Sequence, residues 1–393
     1  MTDLLILLGS IEGGGAERVA VSLANSLPTS ISNELVIIHE SKIKYNVNSP
    51  YILLSGKQIS GLARLCKFPL VILRYILLLR KYNPKVSLSI LPEDNVVNII
   101  SSLITGVHPI ISFHGMPSNK NCHIFTQILK KISIFLLKIT NTSAIAVSNG
   151  VKNELVILYG VNYQKIHVIH NPIDVIQINK LSLEEVKTEI FNHKVKTIIT
   201  VGRLSSVKGQ WHILRVFAEL RRTIQCRLVL CGEGPELEYL MNLTIDLGVK
   251  EDVVFLGWSK NPYKYVARAD LFVLSSLSEA LPNVLVEAMA VGCPVVAANC
   301  SEGIEEILGF DNSCGFVTNK MTGIYHVADE PLDEGELSML YFIQKILYNP
   351  DLRESMSRRC KERAQMFDLN RGIQKYTDMI DKINNLNRNF KKN

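Results

Sequence analysis

No C-x-x-C pair occurs among the eight cysteines of this 393-residue chain, which stand at Cys66, Cys122, Cys226, Cys231, Cys293, Cys300, Cys314 and Cys360. That lack removes the usual four-ligand zinc spacings. Reduced thiols in a cytosolic protein are the simplest reading. Long apolar runs are lacking too. "FPLVILRYILLL" (68–79) and "ISIFLLKI" (132–139) are too short to span a bilayer, and each carries a charge, so no transmembrane helix is expected. The opening "MTDLLILLGS" has no basic stretch before its short apolar run. It reads as a first β-strand rather than a signal peptide. What is present is a globular composition, 47% hydrophobic and 20% charged. The length suggests two domains of roughly 150–200 residues. The net charge of +6 is unevenly placed: residues 1–170 hold 16 Lys and Arg against 8 Asp and Glu. An anionic partner of that half is therefore plausible.

Short β-branched runs alternate with helical patterns along the chain. Strands are expected at 4–9, 34–39, 86–91, 109–114, 143–148 and 166–171. A second series is expected at 196–202, 226–232, 253–257, 271–276, 294–298 and 314–318. Helical periodicity fills most gaps, as at 15–27, 209–222, 235–246 and 283–291. This rhythm predicts an α/β protein with parallel sheets covered on both faces. Two series in tandem predict two doubly wound, Rossmann-like domains. We place them at 1–172 and 196–370, with a polar linker at 173–195 and a C-terminal segment 371–393 returning to the first domain, its polar end fraying. Ligands of such folds bind beyond the carboxyl ends of the strands, so two facing sheets would share a cleft there.

Motifs lie just after strands. "GRLSSVKG" carries Arg203 and Lys208, two cations suited to a diphosphate. A solvated charged loop is the bland alternative. "GEGPELEYL" (232–240) reads mainly as a strand-to-helix turn. "SEALPNVLVEAMA" (278–290) places Glu279 in a loop and Glu287 about one and a half turns inside a helix starting near Pro282. Free first-turn amides at Asn283, Val284 and Leu285 would hold an anion. Glu287 could accept hydrogen bonds from ribose hydroxyls, and Glu279 from a sugar. Alternatively, the two are an ordinary surface helix residue and a turn residue.

These pieces occur together and in order. With "VVFLGW" (253–258), "GGGAER" (13–18), "SFHG" (112–115), "AVSNGVKNEL" (146–155) and "VIHNPID" (168–174), the chain resembles glycosyltransferase family 4 over about residues 1–370. These are retaining, nucleotide-sugar-dependent glycosyltransferases of the GT-B fold, in which two Rossmann-like domains face each other across a cleft. The two-glutamate stretch with its "PNVLVEAMA" interior is the specific element. One departure is "CSEGIEEIL" (300–308) where relatives carry a Gly/Pro-rich loop; Glu306 matches, and Glu302 and Ile304 do not.

The resemblance implies roles. Arg203 and Lys208 would neutralise the donor diphosphate, Glu287 would hold the ribose, and Glu279 would face the donor sugar. Gly14 and Gly15 would let their loop approach the phosphate or acceptor, and His114 would position hydroxyls near the reacting centre. A UDP-hexose or UDP-N-acetylhexosamine donor and a lipid-linked or glycan acceptor are implied, in polysaccharide or lipopolysaccharide synthesis. The expected chemistry is front-face substitution with retention, the leaving phosphate taking the acceptor proton. No Asp-x-Asp element is present, so no metal and no other cofactor is expected. No nucleic-acid partner is expected.

The basic excess of the first half has its own pattern. Lys67, Arg74 and Lys81 recur at intervals of seven beside Leu70, Leu73, Leu77 and Leu78, and Lys130, Lys131 and Lys138 flank "IFLL". Basic amphipathic helices of this kind lie on anionic bilayers. That predicts peripheral attachment to the cytoplasmic face of the inner membrane, with the cations also holding acceptor phosphates. Otherwise the leucines are ordinary core and the lysines a solvated face. Other readings are a catalytically inactive, nucleotide-sugar-binding partner subunit, an epimerase or a phosphorylase of the same architecture. A dehydrogenase is a fourth, since Gly13 to Gly15 with Glu40 imitate a dinucleotide fingerprint spoiled by Arg18.

Overall fold

Five consecutive apolar residues, Leu4–Leu8, form the first strand, β1, and all five are fully buried. A strand buried on both faces must lie inside a sheet covered on both sides. The computed structural model describes residues 2–40, 47–48, 50–56, 62–119, 123–186, 191 and 195–390, with the backbone alone at 62–66 and 384–390. Around β1 it places β2 (Asn33–Ile37), β3 (Tyr51–Leu53), β4 (Val86–Ser89), β5 (His108–Phe113), β6 (Ser143–Ala146) and β7 (Ile166–Val168). Their order is β3-β2-β1-β4-β5-β6-β7, and every pairing is parallel. The second sheet holds β8 (Lys196–Val201), β9 (Cys226–Cys231), β10 (Val253–Gly257), β11 (Leu271–Leu274), β12 (Val295–Ala297) and β13 (Gly315–Val317). Its order is β10-β9-β8-β11-β12-β13, again all parallel. In each sheet the order reverses once, between β1 and β4 and between β8 and β11. Such switch points are where open α/β sheets take ligands.

The chain divides into two units, residues 1–172 with 369–393, and residues 173–368. In the first unit, Leu4, Ile6 and Leu8 pack with Ile373, Tyr376, Met379, Ile380 and Ile383 of the last helix, Leu369–Phe390. Leu5 and Leu7 point the other way, onto Val71, Tyr75 and Leu79 of the Leu62–Tyr82 helix. The backbone of the last helix runs on to Phe390, through most of the tail read as frayed. In the second unit, Trp211, Leu214 and Phe217 of the Gln210–Arg221 helix meet Met339 and Ile343 of the Glu334–Leu347 helix.

The interval 173–195, read as a polar linker, opens with a helix, Val175–Ser182. Asp174 caps it, Oδ1 accepting from the Gln177 amide at 2.8 Å. Its last carbonyls are tied down within the second unit: Asn261 Nδ2 donates to Leu181 O at 2.8 Å and Arg268 Nη1 to Ser182 O at 3.2 Å. Residues 187–190 and 192–194 of that interval lie outside the described residues. One strand went unread. Tyr51–Leu53 is a three-residue edge strand after Pro50, too short for a period to show.

Candidate functional site

In the second unit the chain leaves β8 at Val201 and enters the Arg203–Lys208 loop. This loop packs backbone on backbone against the turn after β9. Leu204 N–H donates to Glu233 O at 2.9 Å, and Glu236 N–H returns to Leu204 O at 3.1 Å. A methyl group on Gly234 would lie 2.1 Å from Leu204 O, so only glycine fits. The "GEGPELEYL" stretch therefore supports the cationic loop from beneath, and its helix begins at Leu237, two residues later than Pro235 suggested. Gly209 ends the loop in the left-handed region, at φ 58°, and starts the Gln210–Arg221 helix.

Two of the expected site residues meet directly. Lys208 Nζ donates to Glu279 Oε1 at 2.5 Å, and both side chains are mostly buried. Ser276 Oγ donates to the same oxygen at 2.8 Å. The loop after β11 is laced to the cationic loop by Leu277 N–H to Val207 O at 2.9 Å and by Ser275 Oγ to Lys208 O at 3.1 Å. The Arg203 side chain is exposed.

The helix after Glu279 spans Asn283–Ala290, with Pro282 as N-cap and no side-chain cap. Of the amides expected to face an anion, that of Leu285 closes the first turn on Pro282 O at 3.1 Å, and the Leu285 side chain is fully buried in the core. That corrects its expected ligand role, leaving the half-buried Asn283 and Val284 at the helix start. Glu287 is 5% exposed, beside the buried Val286 and Ala288. The alternative of a surface helix glutamate is thereby excluded.

Cys300, just after β12, was not singled out in the sequence. Burial and then the neighbouring Glu279 push its thiol up to about 12, Lys208 opposing. Its position at a strand end was the signal available. In the departing loop, a methyl group on Gly303 would meet Ala280 O at 2.1 Å, and Ile304 is fully buried. This segment buttresses the Glu279 loop.

The expected residues of the first unit fare differently. Glu17 accepts from the amides of Gly13 at 2.7 Å and Gly14 at 3.0 Å. The glycine-loop amides therefore face the chain's own carboxylate, and a phosphate approaching Gly14 and Gly15 would meet negative charge. His114 follows β5, its Nε2 2.9 Å from Ser112 Oγ. Burial lowers its pKa to about 4, against the pull of Asn171, so the ring is neutral at pH 7. Lys67, Arg74, Lys81 and Lys131 are exposed. Arg74 also donates to Leu54 O at 2.7 Å. Lys130 turns inward instead, donating to Asn119 O at 2.8 Å, which corrects its expected membrane role: loop carbonyls already claim its ammonium.

Among the described residues, His212, Asp333 and Glu336 form the one group spaced as if for a metal, with ligand atoms within 4.8 Å of one another. Glu336 Oε1 is already engaged by His212 Nδ1 at 2.8 Å and Arg215 Nε at 3.0 Å, all three side chains buried. Arg215 further donates to the carbonyls of Val327, Glu330 (3.0 Å) and Pro331 (2.8 Å). The guanidinium supplies the positive charge this carboxylate needs. The cluster is an ion network pinning residues 327–336 to the helix behind Lys208.

Residues 13–177 match the family model for Glycosyltransferase Family 4, and residues 183–322 match that for Glycosyl transferases group 1. The chain belongs to glycosyltransferase family 4. A Campylobacter jejuni relative is 27% identical over 94% of this chain and 96% of its own. It is the N-acetylgalactosamine-N,N'-diacetylbacillosaminyl-diphospho-undecaprenol 4-alpha-N-acetylgalactosaminyltransferase. The lipopolysaccharide 1,6-galactosyltransferase of Salmonella typhimurium is 28% identical over 42% of this chain and 45% of that enzyme. Among solved structures, Anabaena HepE in complex with UDP and glucose superposes with a TM-score of 0.78 at 20% identity, over 97% of this chain and 100% of that one. The fold of this glycosyltransferase is GT-B.

Proposed function

We propose that the enzyme moves a sugar from a UDP-linked hexose or N-acetylhexosamine to a lipid-diphosphate-linked or glycan acceptor, with retention of anomeric configuration, in polysaccharide or lipopolysaccharide assembly. The observation that carries this is the convergence of Lys208 and Glu279 from two loops beside the β8/β11 switch point, with Glu287 buried in the next helix. The donor class is supported by HepE, solved with UDP and glucose, and the acceptor class by the Campylobacter relative, whose substrate is a diphospho-undecaprenol.

On this reading Arg203 and Lys208 face the donor diphosphate, and Glu287 takes the ribose hydroxyls. The bond from the anomeric carbon to the diphosphate oxygen breaks, and the acceptor oxygen bonds to that carbon on the same face. The acceptor proton passes to the departing phosphate oxygen. Fixed cations stabilise the charge that develops there, and need no reorganisation as the bond breaks. They take the part a divalent ion would otherwise play, so EDTA leaves turnover unchanged on this account; restoration by manganese after its loss would refute that feature. The main test is a panel of nucleotide-sugars with a synthetic lipid-diphosphate sugar, and the anomer of the product read by NMR. An inverted product overturns retention; no product from any donor overturns the transferase reading.

The membrane part of the proposal rests on two helices of the first unit. Leu62–Tyr82 and Ile124–Ile139 flank the Pro92–Thr105 helix, and neither contains an acidic residue. On the second, Phe135 is 59% and Ile139 63% exposed, in line with Ile124, Ile128 and Ile132 and beside Lys131 and Lys138. On the first, Leu70, Leu73 and Leu77 are exposed beside Lys67, Arg74 and Lys81. An apolar stripe edged only by cations fits an anionic bilayer surface. No described helix is long and apolar enough to cross a membrane. Attachment is therefore peripheral on this proposal, at the cytoplasmic face of the inner membrane.

A further inference from the structure

One connection of the second unit does more than join two elements. Residues 318–333, all of them described, run from β13 to the Glu334–Leu347 helix as an irregular segment. Connections of that length in a compact domain usually cover or bind something. This one covers the Gln210–Arg221 helix. A helix on the face of a sheet normally turns one side to solvent, yet Gln210 to Phe217 are all buried. Trp211 Nε1 donates to Ile324 O at 2.8 Å, and Arg215 Nη2 reaches the carbonyls of Glu330 and Pro331 further along. Thr322 Oγ1 donates to Asp333 Oδ2 at 2.9 Å, which closes the segment on itself.

The tip of the segment, Gly323 to Tyr325, lies against the loops of the candidate site. A methyl group on Gly323 would stand 3.0 Å from Leu277 Cδ1, in the Glu279 loop. The Tyr325 ring stacks on Trp211, centroids 4.1 Å apart, and meets the Tyr239 ring edge-on at 5.2 Å. These contacts fix the direction of its hydroxyl. That hydroxyl donates to Glu236 Oε2 at 3.2 Å and accepts from Ser206. Glu236 belongs to the turn beneath the cationic loop, and Ser206 opens the short turn Ser206–Lys208 that ends on Lys208. A phenol has one proton to give and lone pairs to receive. One oxygen therefore ties the two loops together through side chains, where Leu204, Glu233 and Glu236 already tie them through backbone.

We propose that Tyr325 is a positioning residue for the transfer: its hydroxyl, held between Ser206 and Glu236, fixes the turn that presents Lys208. The proposal rests on the transferase reading and names a residue that acts on the reaction through Lys208. A cation stabilises a departing phosphate best when it is already in place as the bond breaks. The test begins on the full-length protein without ligand. Hydrogen–deuterium exchange over residues 203–209, read by mass spectrometry, reports the amides of Leu204, Lys208 and Gly209, which donate to Glu233 O, Ser205 O and Ser206 O. Tyr325→Phe keeps the ring, removes the hydroxyl and speeds that exchange about fivefold. Ser206→Ala removes one half of the tie, has a smaller effect, and adds nothing to Tyr325→Phe. Turnover is then measured with the donor that the nucleotide-sugar panel selects. Tyr325→Phe lowers kcat about fivefold and leaves the UDP Kd within about twofold. In a Lys208→Ala background the same substitution changes kcat by less than about twofold. Unchanged exchange in Tyr325→Phe, or an equal loss of kcat with and without Lys208, would overturn the role. If the exchange responds as expected in a protein that transfers no sugar, the transferase reading falls and the tie between the loops stands.

Discussion

Lys208 Nζ lies 2.5 Å from Glu279 Oε1, so two side chains assigned to opposite tasks at a breaking glycosidic bond hold each other. On the proposed reading a donor diphosphate competes with Glu279 for the Lys208 ammonium, and drawing it away frees the carboxylate to face the sugar. Glu279→Gln therefore tightens UDP binding a few-fold while lowering turnover, as read by calorimetry and by initial rates. Weaker UDP binding in that variant would mean that the pair does not compete with the donor.

Lys208→Ala has the converse profile. It lowers kcat by about 100-fold or more and raises the donor Kd by less than about tenfold, because its charge matters most when the leaving oxygen carries its own. Steady-state kinetics with direct donor titration separate the two effects.

Glu287 predicts a cycle with the ligand. Glu287→Gln weakens UDP binding about tenfold and leaves the affinity for 2',3'-dideoxy-UDP nearly unchanged, since the lost bonds are those to the ribose hydroxyls. Equal losses for both nucleotides would remove the ribose assignment.

His114 gives a pH signature. Its pKa falls on folding from 6.5 to about 4 through burial. Between those values the unfolded chain binds a proton that the folded chain does not. Stability is therefore lost as pH drops through that window, and the loss is complete below about 4. Urea midpoints at about pH 7 and about pH 5 differ less in His114→Asn than in the parent protein.

Glu336 tests the buried network. Glu336→Ala leaves Arg215 and His212 without their carboxylate in a site with no water access, and costs about 3–5 kcal/mol in urea unfolding. A cost below about 1 kcal/mol would show that the residues around it relax to satisfy the guanidinium.

Much of this was legible in the sequence because parallel strands buried on both faces announce themselves as unbroken apolar runs, as Leu4–Leu8 and Leu271–Leu274 do. Candidate site residues could be picked because ligands of such folds gather at strand ends, where Arg203, Lys208 and Glu279 stand. Facing was harder. A seven-residue spacing places Lys67, Arg74 and Lys81 together, and does not say which neighbours turn inward. Val71, Tyr75 and Leu79 build the core while Leu70, Leu73 and Leu77 stay exposed. Long-range contacts were invisible: the loop carbonyls that hold Lys130, the Glu336 network spanning more than a hundred residues, and the stacking of Tyr325 on Trp211. No local pattern encodes such meetings.

The structure of the protein in complex with UDP tests the central claim most directly. The account predicts the diphosphate against Arg203 and Lys208, with Lys208 parted from Glu279, and the ribose hydroxyls on Glu287. UDP bound elsewhere, with the Lys208–Glu279 pair intact, would contradict it.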